Sequence, residues 1–294
     1  MIKLDPVEHI VVLALLTGYL EKVRPLSVII IAKKESAKTE VVAIFSTNDG
    51  VLYLNNFTPT AFMDEYIRDF MNHKYHHLII PDLLNCISRQ KYLVDTTITF
   101  LNSFTEEGIK EIISKAFDQK IQLPEPIRGG VITTIAREDF DARWKKWSSV
   151  GFLTRFLPVS YQYGQDVVDE ILDACATQDE GEVLGKPYNI KLPSILKPKG
   201  GYQRTAKITI DNDLARQLIE PGKNMQKRLS TYGFRGVRHL RRLAQAEALF
   251  NNRVEVTQAD IDQILELSKF CNLDYTVIGD EKAPKFVSDF QVEI

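Results

Sequence analysis

Short β-branched runs alternate along the chain with longer stretches of helical periodicity. Residues 28–31 are apolar at every position, which predicts a strand buried on both faces, as in a parallel sheet. Further strands are predicted at 51–54, 77–80 and 130–135. Apolar spacing and capping signals predict the helices, at 6–22, 58–70, 103–117, 165–177, from 211, 236–250 and from 257. The chain is thus expected to mix buried strands with helices and to become wholly helical towards its C-terminus.

Length and composition are those of an ordinary globular protein. The chain has 294 residues, of which 44% are hydrophobic and 26% charged, enough to bury a full core in one or two domains. Residues 185–207 contain three prolines and the pair Gly200-Gly201, which marks them as a linker. The predicted organisation is an α/β core at 1–184, this linker, a helical unit at 208–272 and an acidic tail at 273–294.

Charge is distributed unevenly. The net charge of −2 argues against a protein that coats nucleic acid along its whole surface. Residues 199–253, however, carry 12 Lys and Arg against 4 Asp and Glu, whereas the last 41 residues carry 3 basic and 9 acidic residues. The basic stretch either faces the phosphates of a nucleotide or nucleic acid, or forms a solvated helical face.

Cysteine usage and hydropathy indicate a compartment. Cys86, Cys175 and Cys271 are far apart and lack metal-ligand spacing, which suits free thiols in a reducing environment. The apolar run at 10–16 is too short to span a bilayer, and no cleavage signal follows it. We therefore expect a cytoplasmic protein without a membrane partner.

The stretch AKKESAKT, residues 32–39, follows the first predicted strand and precedes a helix. Strand, short loop, Lys-Thr and helix is the layout of the phosphate-binding motif G-x-x-x-x-G-K-[ST]. Lys38 is expected to reach the β- and γ-phosphates and Thr39 to ligate Mg²⁺, while the backbone of the loop faces the phosphates. The loop residues concerned are Lys33, Lys34, Glu35, Ser36 and Ala37.

Alanine occupies both glycine positions of that motif, Ala32 and Ala37. An alanine forced to positive φ costs about 1–2 kcal/mol, so such a loop has less freedom to close on phosphate. The alternative interpretation of the stretch is a solvated, charged turn between a strand and a helix.

Two further predicted strands end in polar residues. Asp82 follows the strand at 77–80, where a carboxylate at a carboxyl end can hold Mg²⁺ through water; a plain buried strand ending in Asp is the alternative. The next position, where a catalytic glutamate would stand, is Leu83. Thr133 and Thr134 lie in the strand at 130–135, where a hydroxyl either contacts the γ-phosphate or bonds local backbone.

A single arginine, Arg155, lies inside the apolar segment GFLTRFLPVSY at 151–161. A charge so placed needs a partner or a function.

Together these motifs resemble those of an AAA+ ATPase, over about residues 26–267. AKKESAKT resembles a degenerate Walker A, LIIPD a Walker B without its glutamate, and VITTIA the sensor 1 strand. GFLTRFLPVSY resembles the arginine-finger element of minichromosome-maintenance (MCM) helicases, and FRGVRHLRRLAQAEALFNNRVEVTQADIDQIL resembles their lid.

The resemblance implies an AAA+ P-loop core with a central parallel sheet and a C-terminal helical lid. It implies ATP and Mg²⁺ as cofactors, Thr133 or Thr134 as the sensing residue, Arg155 as a finger acting on a neighbour's nucleotide, and Arg238 at the sensor 2 position. Because a finger supplied in trans requires a neighbour, it also implies a homo-oligomer, in the form of a ring, with DNA as a candidate partner.

Three functions are compatible with the sequence. The first is an active oligomeric ATPase that acts on or with nucleic acid. The second is a nucleotide-gated assembly or binding module with little or no hydrolysis, which the missing glutamate and glycines favour. The third is a scaffold that has lost nucleotide binding, against which Lys38, Thr39 and Asp82 argue.

Overall fold

The computed structural model describes residues 3–88, 90–113, 120–177, 186–229 and 231–279. Its strands are β1 (Ser27–Ala32), β2 (Gly50–Tyr53), β3 (Tyr75–Ile80), β4 (Ile109–Ile113), β5 (Lys120–Ile127), β6 (Gly130–Ala136), β7 (Phe156–Tyr163), β8 (Lys197–Gly200), β9 (Gln203–Thr205) and β10 (Thr276–Ile278). Six of them form one sheet with the order β10-β7-β1-β6-β3-β2, in which every neighbouring pair is parallel. The predicted α/β fold with a central parallel sheet is confirmed.

Helices cover both faces of this sheet. They are α1 (Asp5–Leu16), α2 (Lys38–Ala43), α3 (Pro59–Glu65), α4 (Ile67–Met71), α5 (Leu84–Ile87), α6 (Lys91–Asn102), α7 (Arg137–Ser149), α8 (Gln165–Thr177), α9 (Asn212–Arg216), α10 (Ile219–Met225), α11 (Phe234–Phe250) and α12 (Gln258–Ser268). In the part of the chain that is described, no helix combines the length and apolar character needed to cross a membrane.

Two hydrophobic cores lie on opposite sides of the sheet because side chains of a strand alternate between its faces. In β1, Val28 and Ile30 belong to the core under α1, α2, α11 and α12. Ile29 and Ile31 belong to the core under α3, α4, α6 and α7. All six residues of β1 are buried, as the unbroken apolar run predicts.

The helix predicted at 103–117 is wrong. Residues 103–107 form one π-helical turn that continues α6, and Gly108, at φ +85°, ends it. The following residues form β4, which pairs with β5 in an antiparallel hairpin. The isoleucines of β4 favour a strand once a partner strand is available, and Gly108 adopts a backbone conformation that a helix cannot continue. The predicted helix end at 114–117 lies outside the described residues.

The C-terminal helices pack on the α1 face of the sheet. Leu240, Leu243 and Ala244 of α11 join the α1 core, and Ile261 and Ile264 of α12 join it too. The predicted helices at 165–177 and 236–250 are confirmed as α8 and α11.

The acidic tail predicted from residue 273 is wrong for its first residues. Residues 276–278 form β10, which pairs with β7 and makes the outermost strand of the sheet. Ile278 of this short strand is buried in the α1 core, whereas Thr276 and Val277 are partly buried. Residues 280–294, the rest of the predicted tail, lie outside the described residues.

Candidate functional site

The loop between β1 and α2 contains the candidate phosphate-binding residues. Ala37, directly before α2, has φ +56°, and Glu35 has φ +60°, whereas Ala32 has an ordinary strand conformation. Ser36 donates its hydroxyl to the carbonyl oxygen of Lys33 over 2.7 Å, and the Lys38 ammonium lies 3.4 Å from the same oxygen. The lysine therefore folds back over a tightly turned loop.

Two tyrosines from β7 hold this loop in place. The hydroxyl of Tyr161 donates to the Ser36 carbonyl over 2.7 Å, and that of Tyr163 does so over 3.2 Å. Tyr161 is completely buried, and burial raises the pKa of its hydroxyl well above the ordinary value, so the group remains a donor. The sequence patterns described above do not predict this contact. The feature that could have indicated it is the spacing of the two tyrosines, which are two positions apart at the carboxyl end of β7. Side chains at this spacing lie on the same face of a sheet, here the face towards the loop.

Asp82 follows β3 at the same edge of the sheet as the loop after β1. Its Oδ1 accepts a hydrogen bond from the Leu84 amide over 3.0 Å, which fixes the carboxylate at the start of α5. Leu83, at the position of the missing glutamate, is fully buried in the core opposite α2. Of residues 82–85, only Asp82 carries a carboxylate. Asn85 is exposed and polar, but its amide cannot act as a base.

The two threonines of β6 have different surroundings. Since β6 lies between β1 and β3, both threonines are central in the sheet, and Thr133 pairs with Ile29 on one side and Ile80 on the other. Thr134 donates its hydroxyl to the Pro81 carbonyl over 2.6 Å, next to Asp82. The Thr133 hydroxyl is buried without a hydrogen-bond partner in the described structure. By alternation, Thr134 lies on the face that carries α2, and Thr133 lies on the other.

Arg155 lies at the opposite edge of the sheet. It directly precedes β7, whose first residue, Phe156, pairs with Ser27, the first residue of β1. The six residues of β1 separate this edge from the phosphate loop by roughly 20 Å. The Arg155 guanidinium contacts two carboxylates of its own chain, Glu106 at 3.2 Å and Glu107 at 2.8 Å, and donates to the Gly151 carbonyl over 2.6 Å.

Arg238 lies in α11 and lines the same pocket as Arg155. The structure thus divides the predicted site residues into two groups. One group, residues 33–39 with Asp82 and Thr134, lies at the carboxyl edge of the sheet. The other, Arg155 and Arg238, lies at the amino edge, too far away to act on a nucleotide at the loop of the same chain.

Comparisons with known proteins give a fold resemblance only. No protein-family model matches the chain, and no curated protein matches it in sequence. Among solved structures, the chain is similar to a candidate ATPase from Cytophaga hutchinsonii ATCC 33406, with 14% identity and a TM-score of 0.45. That similarity covers 92% of this chain and 82% of the other.

Proposed function

We propose that the chain is an AAA+-like nucleotide-binding protein whose ATP, bound with Mg²⁺ at residues 33–39, controls its assembly into a homo-oligomer. The observation that carries this proposal is the loop after β1. Lys38 and Thr39 begin α2 directly after this loop, and the Tyr161 hydroxyl fixes the loop backbone at Ser36. Asp82, at the same edge, supplies the carboxylate that would hold Mg²⁺, and Thr134 is the better placed of the two candidate sensing residues.

Arg155 and Arg238 act in this proposal on the nucleotide of a neighbouring copy. Both arginines lie far from the phosphate loop of their own chain. In this proposal they therefore reach only the phosphates of a nucleotide that is bound to the loop of a second chain. Arg155 would then exchange its contacts with Glu106 and Glu107 for phosphate oxygens. A guanidinium positioned at the γ-phosphate neutralises charge there.

Buried Leu83 favours assembly over rapid hydrolysis. In phosphoryl-transfer sites a polar side chain positions the nucleophile. Here that position is apolar and its side chain belongs to the core, so it cannot turn towards a water molecule. We expect ATP to bind and to be hydrolysed slowly or not at all.

The test is ATP binding by calorimetry and assembly by sedimentation velocity, with and without Mg²⁺-ATP. Lys38→Ala removes one charge-assisted contact, typically 1.5–3 kcal/mol, so we expect ATP affinity to fall by about 10- to 100-fold and the larger species to disappear. Lys91→Ala is the matched control, because this exposed lysine begins α6 and lies outside the loop. Equal assembly by the Lys38→Ala variant and the wild type would contradict the proposal.

A mixing experiment tests the role in trans. Neither Lys38→Ala nor Arg155→Ala alone should assemble with ATP. A mixture should form dimers, because the Lys38→Ala chain can offer its intact Arg155 to the intact loop of the other variant. Mixed samples that stay monomeric, while both variants remain folded, would exclude a shared nucleotide site.

A second candidate function is an ATPase that acts on single-stranded nucleic acid. Tyr232 and Phe234 favour it, because they are 85% and 70% exposed and stack on each other at the start of the basic helix α11. Exposed aromatic rings beside cationic side chains are a platform for bases. We expect single-stranded DNA binding that weakens with salt and is reduced in Phe234→Ala. Tyr92→Ala, at an exposed tyrosine of α6, is the control. Binding that ignores both salt and Phe234 would rule this candidate out.

A further inference from the structure

A pocket of about 430 Å³ opens at the amino edge of the sheet. The segment before β1, the π-helical turn before β4, the turn before β7 and the first half of α11 enclose it. Seven of its twelve lining residues are lysine or arginine, and Glu106 is its single acidic lining residue. We call it the arginine pocket.

Local structure explains how so many cations share one wall. Arg235, Arg238 and Arg242 recur at helical spacing on α11, so one side of this helix is a stripe of guanidinium groups. Arg24 and Arg155 face them from the starts of β1 and β7. The wall is therefore rigid, since it is carried by a long helix packed on the core and by two central strands.

Glu106 neutralises only part of this charge. Its carboxylate lies 2.6 Å from Arg235, 3.2 Å from Arg155 and 3.8 Å from Arg24, so one anion is shared by three cations.

In the described ranges, Arg238, Arg241 and Arg242 form no ion pair. Burial, together with the charges of Arg24 and Arg238, lowers the pKa of Arg242 to about 10. The charged form of such an arginine is stabilised when an anion enters the pocket and lies close to it.

His239 contributes no compensating or additional charge. It lies at the base of the pocket, and burial and neighbouring Arg242 lower the pKa of its imidazole to about 3. Gln245 lines the pocket too, but its amide is already bonded to the Ile208 carbonyl over 2.8 Å. The free binding capacity of the pocket is thus cationic.

We infer that the arginine pocket is an anion site of the single chain that binds a short chain of two or three phosphates, and that Glu106 is its built-in competitor. The volume is that of a small-molecule site, and the surplus of positive charge calls for a ligand with several negative charges. The phosphate chain is either free inorganic polyphosphate or the tail of a nucleoside triphosphate. This inference does not depend on nucleotide binding at residues 33–39.

The test uses the full chain with Lys38→Ala, so that the phosphate loop does not contribute, and inorganic triphosphate as the probe in calorimetry. We expect 1:1 binding that weakens at least tenfold in Arg238→Ala/Arg242→Ala. Glu106→Gln should bind several-fold more tightly, because the competing charge is gone. Glu138→Gln is the matched control: it makes the same change in formal charge at an exposed residue of α7, which begins at the opposite edge of the sheet. Its affinity should stay within twofold.

Exposed Arg238→Ala and Arg241→Ala serve as single substitutions if loss of partly buried Arg242 prevents folding. ATP in place of triphosphate identifies the source: affinity higher than that of triphosphate indicates a nucleotide tail, and equal or lower affinity indicates the phosphate chain alone. Absence of triphosphate and ATP binding, or binding unaffected by the arginine substitutions, overturns the site. Equal tightening by Glu106→Gln and Glu138→Gln overturns the role of Glu106.

Discussion

Ala37 holds a left-handed conformation, at φ +56°, that alanine rarely adopts. Its Cβ makes this conformation unfavourable by about 1–2 kcal/mol, whereas glycine adopts it freely. We expect Ala37→Gly to raise the free energy of unfolding by up to about 1 kcal/mol, the strain relieved less the extra entropy of the unfolded chain. Urea unfolding followed by circular dichroism measures this change.

Ala32 is the control, since it occupies the other glycine position of the same motif. It is fully buried in β1 and has an ordinary strand conformation, so Ala32→Gly relieves no strain. Glycine in a strand loses both packing and order, and we expect destabilisation of about 1 kcal/mol. If both substitutions change the free energy of unfolding in the same direction, relief of backbone strain at Ala37 does not explain the change.

At the scale of elements, α12 illustrates how a local signal sets a helix start. The amide of Thr257 donates to the Asp260 carboxylate over 2.8 Å, and the Thr257 hydroxyl bonds the same group over 2.9 Å. The sequence predicts this capping box from Thr257-x-x-Asp260, and the structure confirms it. Thr257→Ala should lower the free energy of unfolding by about 1 kcal/mol.

Thr257→Ser keeps the hydroxyl and is expected to stay within about 0.5 kcal/mol of the wild type, in line with similar capping by serine and threonine. Denaturant unfolding of both variants separates the cap from the loss of the methyl group. If serine destabilises as much as alanine, the hydroxyl is not what stabilises α12.

At the scale of the whole molecule, buried histidines make stability depend on pH. His77 is completely buried beside Gly130, and burial and neighbouring His76 lower the pKa of its imidazole to about 3. The unfolded chain titrates near 6.5 and therefore takes up the proton first. The contribution of neutral His77 to the free energy of unfolding is complete above pH 6.5 and is lost as the pH falls towards 3. At pH 5, about 2 kcal/mol is lost relative to pH 7.

His77→Gln retains a donor for the Leu26 carbonyl, which lies 3.2 Å from His77 Nε2. The variant should lose about 2 kcal/mol less than the wild type between pH 7 and pH 5, whatever its stability at pH 7. His73→Gln, at an exposed histidine of the same segment, should remove a smaller part of the pH dependence, because burial lowers the pKa of this imidazole less strongly. Parallel pH profiles of the wild type and His77→Gln would contradict this assignment.

The sequence by itself determined the elements whose signal is local. The β-branched run of β1, the periodicity of α8 and α11, and the Thr257 cap each depend on residues a few positions apart, so their structures follow from propensity and spacing. The order Lys38, Asp82, then Thr133 or Thr134 is likewise visible in the chain, because parallel strands bring their carboxyl ends to one edge.

Only the tertiary structure decided the features that join distant segments. The β4–β5 hairpin and the place of β10 depend on pairing partners, which propensity within one window does not contain. The anchoring of Ser36 by Tyr161 spans 125 positions, and the contact of Arg155 with Glu106 joins the turn before β7 to the π-helical turn before β4. Burial and charge in such places are set by what the fold brings together, which is why the basic stretch at 199–253 predicts cationic side chains but not the pocket that they form with Arg24 and Arg155.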